Sequence, residues 1–184
     1  TGRELLRTAE AEEGAGALDL QFGLAALFKA QAKYDEAEGL YRRVLATEEE
    51  TLGPAHTDTL ATVGNLAILL KQQGKYDEAE PLYRRELAGK EEALGPAHPN
   101  TLMTVDGLAS LLMQQGKYDE AEPMYRRALA GQEEAFGPAH PSTLMTVMNL
   151  ANLFADQGKH DEAEPMYRRV LAGFEEAYGP AHPE

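Results

Sequence analysis

Four histidines recur every 42 residues, and histidine is the side chain most often used for acid–base catalysis and metal binding. They are His56, His98, His140 and His182, each preceded by Gly-Pro-Ala. Each stands alone in its turn, without a second ligand three or four residues away, and the chain contains no cysteine. Because a metal site needs several converging ligands, these histidines are predicted to have a structural role in turns.

The other candidates for chemistry are the carboxylates of Asp77 and Glu80, which lie three residues apart. An equivalent pair returns in every repeat, which argues against one acid–base pair with a unique position. His160 replaces a tyrosine of the other repeats and is interpreted as a repeat-specific substitution. The sequence contains neither a glycine-rich phosphate loop nor a nucleophile elbow. It therefore predicts that the protein is not an enzyme and needs no cofactor and no metal.

The structural units that position these residues are predicted from a sequence repeat of 42 residues. The string Lys-Tyr-Asp-Glu-Ala-Glu begins at Lys33, Lys75 and Lys117, and it returns at Lys159 with histidine in place of tyrosine. The second and third units are identical at 31 of 42 positions. Repeats of this length indicate stacked supersecondary units. The predicted organisation is an N-terminal partial or capping helix followed by four repeats, over residues 1–14, 15–56, 57–98, 99–140 and 141–182.

Within a repeat, two segments have the apolar spacing of an amphipathic helix. The first helix of the second repeat is predicted from about Asp58 to Gln73, ended by Gly74, with a buried stripe at Leu60, Val63, Leu66, Ala67 and Leu70. The second helix is predicted to start with Asp77 as its cap and Glu80 completing a capping box. Its predicted buried stripe is Ala79, Tyr83, Leu87 and Leu94. The fold class is therefore all-α, a solenoid of four helix-turn-helix repeats.

This pattern resembles the tetratricopeptide repeat. Leu66-Ala67-x2-Leu70, Gly74, Ala79 and Tyr83 have the spacing of its signature. The 42-residue length, with Gln-Gly-Lys-Tyr-Asp-Glu-Ala-Glu and Leu-Gly-Pro-Ala-His-Pro, is similar to the long variant in kinesin light chains and nephrocystin-type proteins. The resemblance implies a right-handed superhelix whose first helices line a concave groove that binds peptides or protein segments. The heptad coiled coil of a complete kinesin light chain is not present, so motor binding is not implied.

Candidate ligand-binding residues come from comparing the four repeats with one another. Core positions barely change, whereas the first-helix positions that the resemblance assigns to the groove vary and include several apolar side chains. One interpretation is a groove diversified toward a ligand, and the other is drift at solvent-exposed positions. Asparagines on this face could hydrogen-bond a peptide backbone or simply face water. The predicted residues are Asp19, Phe22, Lys29, Asn65, Ile68, Lys71, Met103, Asp106, Ser110, Met113, Met145, Met148, Asn149 and Asn152.

Charge and composition narrow the class of partner. The formal net charge is −14, which repels nucleic acid and anionic membrane surfaces. No run of about 18 apolar residues is present, so no membrane span is predicted. The lack of cysteine favours an intracellular, cytoplasmic location. The expected partner is a protein or peptide, and neither nucleic acid nor a membrane.

A second hypothesis remains open beside peptide binding. The chain could be a structural or self-assembling array, designed or cut from a larger regulatory protein, without a ligand of its own. Apolar groups near Phe174 and Tyr178, in the last repeat, could stack on a neighbouring molecule. End-to-end self-association is therefore a further expectation.

Overall fold

The computed structural model describes residues 15–179, and the regular secondary structure in this range is entirely helical. Eight helices follow one another as four pairs. They are α1 (Ala15–Ala30), α2 (Tyr34–Thr51), α3 (Thr57–Gln72), α4 (Tyr76–Leu94), α5 (Pro99–Gln114), α6 (Tyr118–Phe136), α7 (Pro141–Asp156) and α8 (His160–Tyr178). Within this range no helix is long and apolar enough to cross a membrane. The capping helix predicted for residues 1–14 lies outside the described residues.

The chain forms two compact units, Thr1–Gly89 and Lys90–Glu184, called here the N-terminal and C-terminal units. In the N-terminal unit α2 packs on both α1 and α3. In the C-terminal unit α6 packs on both α5 and α7, and α7 also packs on α8. These helices thus contact mainly their neighbours in sequence, which is how a repeat array is stabilised. The chain is an all-α solenoid of helix-turn-helix repeats, as its period predicts.

The first helix of the second repeat agrees with its prediction to within one residue at each end, at Thr57–Gln72. Its apolar stripe is the core of the repeat. The five predicted side chains are almost completely inaccessible to solvent: Leu60, Val63, Leu66, Ala67 and Leu70. Equivalent leucines and valines in α5 and α7 are buried in the same way. The spacing therefore identifies which face of each first helix is buried.

The repeated histidines cap the first helices. Nδ1 of His56, His98 and His140 accepts a hydrogen bond from the backbone N–H two residues later, at 3.2, 3.1 and 3.2 Å. This bond satisfies one of the four N–H groups that lack an intrahelical partner at a helix start. The structural role predicted for these turns is confirmed for the three histidines, while His182 lies outside the described residues.

The capping box predicted for Asp77 and Glu80 is wrong. The second helix begins one residue earlier, at Tyr76, so Asp77 lies within the first turn. Glu80 pairs with Arg84, one turn further along the same helix, at 2.8 Å. In α2, α6 and α8 the N-cap residue is a lysine whose side chain makes no capping bond. The first-turn aspartates still favour the helix through their charge near its positive end.

The buried stripe of α4 also differs from its prediction. Ala79 and Tyr83 are buried as expected, but Leu94 is the last helical residue and is exposed. Glu86 is buried instead, because its carboxylate occupies the space that a Cβ would take at Gly64 on α3. The glycine makes room for a charged side chain where apolar spacing predicts none.

Candidate protein-interaction face

The fourteen predicted ligand-binding residues define what we call the first-helix face. In the N-terminal unit they lie on α1 and α3, and in the C-terminal unit on α5 and α7. Every one of them is exposed or half-buried, and none belongs to the fully buried core. The face is therefore accessible to a partner in each unit, considered separately.

The most exposed apolar side chains of the C-terminal unit's first-helix face are two methionines. Met103 on α5 is 64% exposed and Met145, at the same position of the next repeat, is 46% exposed. Met113 and Met148 are half-buried on the same two helices. Methionine is flexible and polarisable, so such side chains can adapt to differently shaped partners.

Beside these methionines, α7 is tied to α5 by a polar network around Asp106. The hydroxyl of Thr146 donates to Asp106 Oδ1 at 2.8 Å, and the side-chain amide of Asn149 donates to Oδ2 at 3.1 Å. Burial raises the pKa of Tyr125 on α6, and the nearby negative charge of Asp106 raises it further. The network therefore links the consecutive first helices α5 and α7, and its carboxylate lies near the buried Tyr125.

In the N-terminal unit, Lys29 of α1 contacts Asn65 of α3. The Lys29 ammonium donates to Asn65 Oδ1 at 3.3 Å, and Asn65 Nδ2 donates in turn to the backbone carbonyl of Ala61 at 3.0 Å. Partial burial lowers the pKa of Lys29. Each unit thus contains a polar link between consecutive first helices, centred on a cation in one and an anion in the other.

The asparagines serve the scaffold, which neither sequence interpretation anticipated. Asn65 and Asn149 make the links just described, and Asn152 accepts a 2.6 Å hydrogen bond from the hydroxyl of Tyr167 on α8. All three therefore have partners within the protein, where the sequence suggested either a ligand or water. The sequence analysis missed two residues that contact this face, Thr146 and Tyr167. Threonine or tyrosine also stands at the same position of other repeats, so neither residue is distinguished by its type or spacing.

Phe22 is also partly engaged by the scaffold. Its ring meets Tyr41 of α2 edge to face, with the ring centroids 5.5 Å apart and the planes at 73°. This geometry is favourable for aromatic pairs. By contrast, Asp19 and Ile68 extend into solvent on α1 and α3. Phe22 is consequently better placed to hold α1 against α2 than to contact a ligand.

Among residues 15–179 there is no cluster of three or more histidine, aspartate or glutamate side chains that could hold an ion. His160, the histidine outside the capping set, begins α8 and is exposed.

Known families and structures resemble this chain over most of its length. The tetratricopeptide repeat family model matches residues 16–92, 62–112 and 99–176. A crystal structure of a substituted form of a Podosopora anserina protein, described as a kinesin light chain with nearly identical TPR-like repeats, is 26% identical. The match covers 94% of this chain and 82% of that one, with a TM-score of 0.80.

Two further structures share the fold. BtubC (BKLC) from P. vanneervenii is 24% identical, with 100% of this chain and 74% of that chain covered and a TM-score of 0.81. The apo form of RapI is 16% identical, with 93% and 60% covered and a TM-score of 0.78. None of the curated protein sequences matches this chain. The kinesin light chain-type resemblance inferred from the repeat motifs is confirmed.

Proposed function

This chain belongs to the tetratricopeptide repeat family, and on that premise we propose that it is a protein-interaction scaffold that binds a peptide or protein segment on its first-helix face. Tetratricopeptide repeats generally mediate protein–protein interaction, and arrays of this type are typically non-enzymatic. We extend this to the present chain and assign it no catalytic step. The cytoplasmic location favoured by the lack of cysteine is part of the same proposal.

The observation that carries the proposal is the exposure of Met103 and Met145 at equivalent positions of consecutive first helices. The repeats otherwise conserve their core and bury its apolar side chains. Exposed apolar side chains that form one patch on a soluble protein usually mark an interaction site, and we propose that these two methionines belong to such a patch. A ligand that covered both methionines would remove their apolar surface from water, which is favourable by about 25 cal/mol per Å².

The chemistry of the partner follows from the same face. The methionines favour a ligand with apolar side chains, spaced so that one contacts α5 and another contacts α7. The formal net charge of −14 disfavours an acidic partner at long range. A neutral or basic protein segment with exposed apolar side chains fits both conditions.

The test is to titrate the chain against an immobilised library of short peptides and compare variants of the face. Met103→Glu and Met145→Glu place a charge where apolar contact is proposed, and each is expected to weaken saturable binding at least about tenfold, or roughly 1.4 kcal/mol. Leu94→Glu is the matched control, because Leu94 is an exposed apolar residue on a second helix. Binding that is absent, or equally reduced in all three variants, would contradict the proposal.

A further inference from the structure

The methionines of this chain lie outside its buried core. The chain has six methionines and no cysteine, so its sulfur chemistry is confined to thioethers. All six lie within the described residues, where the buried apolar side chains are those of leucine, valine, alanine, phenylalanine and tyrosine. Methionine is ordinarily among the residues that fill a protein core. A reaction at sulfur would therefore change the surface of the repeats and leave the packing of the core intact.

Two of the six thioethers are exposed, and both lie on the first-helix face. They belong to Met103 on α5 and Met145 on α7, at the same position of consecutive repeats. The third repeat, which contains Met103, has a described repeat before it and another after it in sequence. The exposure of Met103 thus does not depend on where the chain begins or ends. The other four are half-buried: Met113 and Met148 on the same two first helices, and Met124 and Met166 on the second helices α6 and α8.

A thioether reacts with a peroxide in one two-electron step. A lone pair of the methionine sulfur attacks one oxygen of hydrogen peroxide, the O–O bond breaks, and the oxygen bound to sulfur passes its proton to the departing hydroxide, which becomes water. The sulfur is oxidised by two electrons and the peroxide is reduced by two. The product is methionine sulfoxide, which is polar, and methionine sulfoxide reductases convert it back to methionine.

Both exposure and charge favour the reaction at Met103 and Met145. The susceptibility of sulfur to oxidation follows solvent exposure, and these two side chains are the most exposed of the six. No thiol competes for the oxidant, because the chain contains no cysteine. Hydrogen peroxide is neutral, so the formal net charge of −14 does not repel it.

Oxidation changes the property through which the first-helix face is proposed to bind a ligand. A sulfoxide oxygen is a hydrogen-bond acceptor, and an apolar ligand that covered it would remove it from water without a partner. The helices α5 and α7 contain neither lysine nor arginine, so no cationic donor on the same helix compensates. The sulfoxide therefore disfavours the apolar contact that the thioether favours.

We propose that Met103 and Met145 are oxidation sites through which a peroxide switches off ligand binding at the first-helix face while the repeats stay folded. Methionine sulfoxide reductases reverse the switch by restoring the thioethers. The effect on binding rests on the proposed function, whereas the order in which the methionines react and the retention of the fold can be measured without any ligand.

Peroxide treatment of the unaltered chain tests which methionines react. Tandem mass spectrometry at a series of times is expected to show Met103 and Met145 oxidised at least about threefold faster than Met124 and Met166, because susceptibility follows exposure. Circular dichroism of the chain oxidised at both sites is expected to show an unchanged helical content. Oxidation that proceeds first at Met124 or Met166, or a loss of helix when Met103 and Met145 react, overturns the proposal.

Binding is measured with a methionine-free peptide, selected from the library on the untreated chain and added after catalase has removed the peroxide. Peroxide treatment is expected to weaken binding by the unaltered chain at least about tenfold. Each variant is compared with itself before and after treatment, so the effect of the substitution cancels. The chain with Met103→Leu and Met145→Leu is expected to lose less than about twofold, because leucine has no sulfur to oxidise. The matched control with Met124→Leu and Met166→Leu is expected to lose as much as the unaltered chain.

Repair by methionine sulfoxide reductases of both stereospecificities gives a measurement that needs no substitution, and it is expected to restore binding. A peptide that binds the untreated chain, and binds equally well after Met103 and Met145 are oxidised, overturns this proposal alone. Binding that is lost from the Met103→Leu and Met145→Leu chain as fully as from the unaltered chain, or is not regained after repair, also overturns it. A chain that binds no peptide before treatment overturns the proposed function, and with it the effect of oxidation on binding.

Discussion

The carboxylate of Glu38 is almost buried, and its Oε2 lies 2.8 Å from Nζ of Lys75 in the next repeat. Burial alone would raise the pKa of Glu38, but the hydrogen bonds from Lys75 and Gln73 and the positive charges of Arg42 and Lys75 together lower it. The pair therefore stabilises the folded chain only while Glu38 is ionised, and it links the first two repeats.

Glu38→Gln is expected to lower the free energy of unfolding by about 1 kcal/mol at pH 7. A carboxyl whose pKa is depressed by folding contributes stability that is present above its unfolded pKa of about 4.3. This contribution is lost as the pH falls through the lower folded pKa. Urea denaturation at a series of pH values should thus show the difference between the two proteins shrinking on acidification.

The control for this change is Glu164→Gln, at the same repeat position on α8. Glu164 is exposed and pairs with Arg168 one turn away in its own helix, at 2.5 Å. Exposed pairs of this kind contribute about 0.3–0.5 kcal/mol. A loss as large as that of Glu38→Gln, measured at a concentration that keeps the chain monomeric, would contradict the role given to Lys75.

The histidine caps predict a second effect on stability. His98→Ala removes the acceptor for the Asn100 N–H and is expected to cost about 1 kcal/mol of unfolding free energy. His98→Asn supplies another good N-cap acceptor and should retain most of it. His160→Ala is the control, because that histidine lies within the first turn of α8 and is exposed. Equal losses in the alanine and asparagine variants at position 98 would show that the imidazole acts otherwise.

Replacing either of two glycines in second helices by alanine is expected to change the free energy of unfolding, in opposite directions at the two positions. A Cβ at Gly89 would lie 2.5 Å from Cδ1 of the buried Leu60, so Gly89→Ala should destabilise by about 1–2 kcal/mol after the gain in helix propensity. At Gly39 nothing lies within 4 Å, so Gly39→Ala should stabilise by up to about 1 kcal/mol. Thermal denaturation of both variants provides the measurement, and a stabilised Gly89→Ala would contradict the packing described.

The period and apolar spacing were sufficient to predict the solenoid and the buried face of each first helix. They were insufficient where the role of a residue depends on a contact with another repeat or on the conformation of a turn. Asp77 looks like a cap, but the helix begins at Tyr76, and the Ala79 N–H already bonds the Lys75 carbonyl at 3.1 Å. His98 caps a helix through a ring nitrogen, which composition alone does not indicate.

The first-helix face could be predicted only in part, because variation between repeats has two causes. The position of Met103 and Met145 holds Asp19 and Ala61 in the first two repeats. Both methionines project into solvent, as an interaction face requires. Asp106 and Asn149 vary because they bond each other across 43 residues of sequence, and a single repeat gives no indication of that contact. Exposure in the structure separates these causes, which sequence variation alone cannot.

The six methionines of the chain allow the central claim to be tested in one experiment. Their methyl groups can be labelled with ¹³C and followed by NMR while a peptide selected from the library is added. Four lie on the first-helix face, namely Met103, Met113, Met145 and Met148, whereas Met124 lies on the second helix α6 and serves as an internal control. The account predicts saturable shifts of the Met103 and Met145 methyl signals with that of Met124 unchanged. Shifts confined to Met124, with the signals of Met103 and Met145 unmoved at saturation, would contradict it.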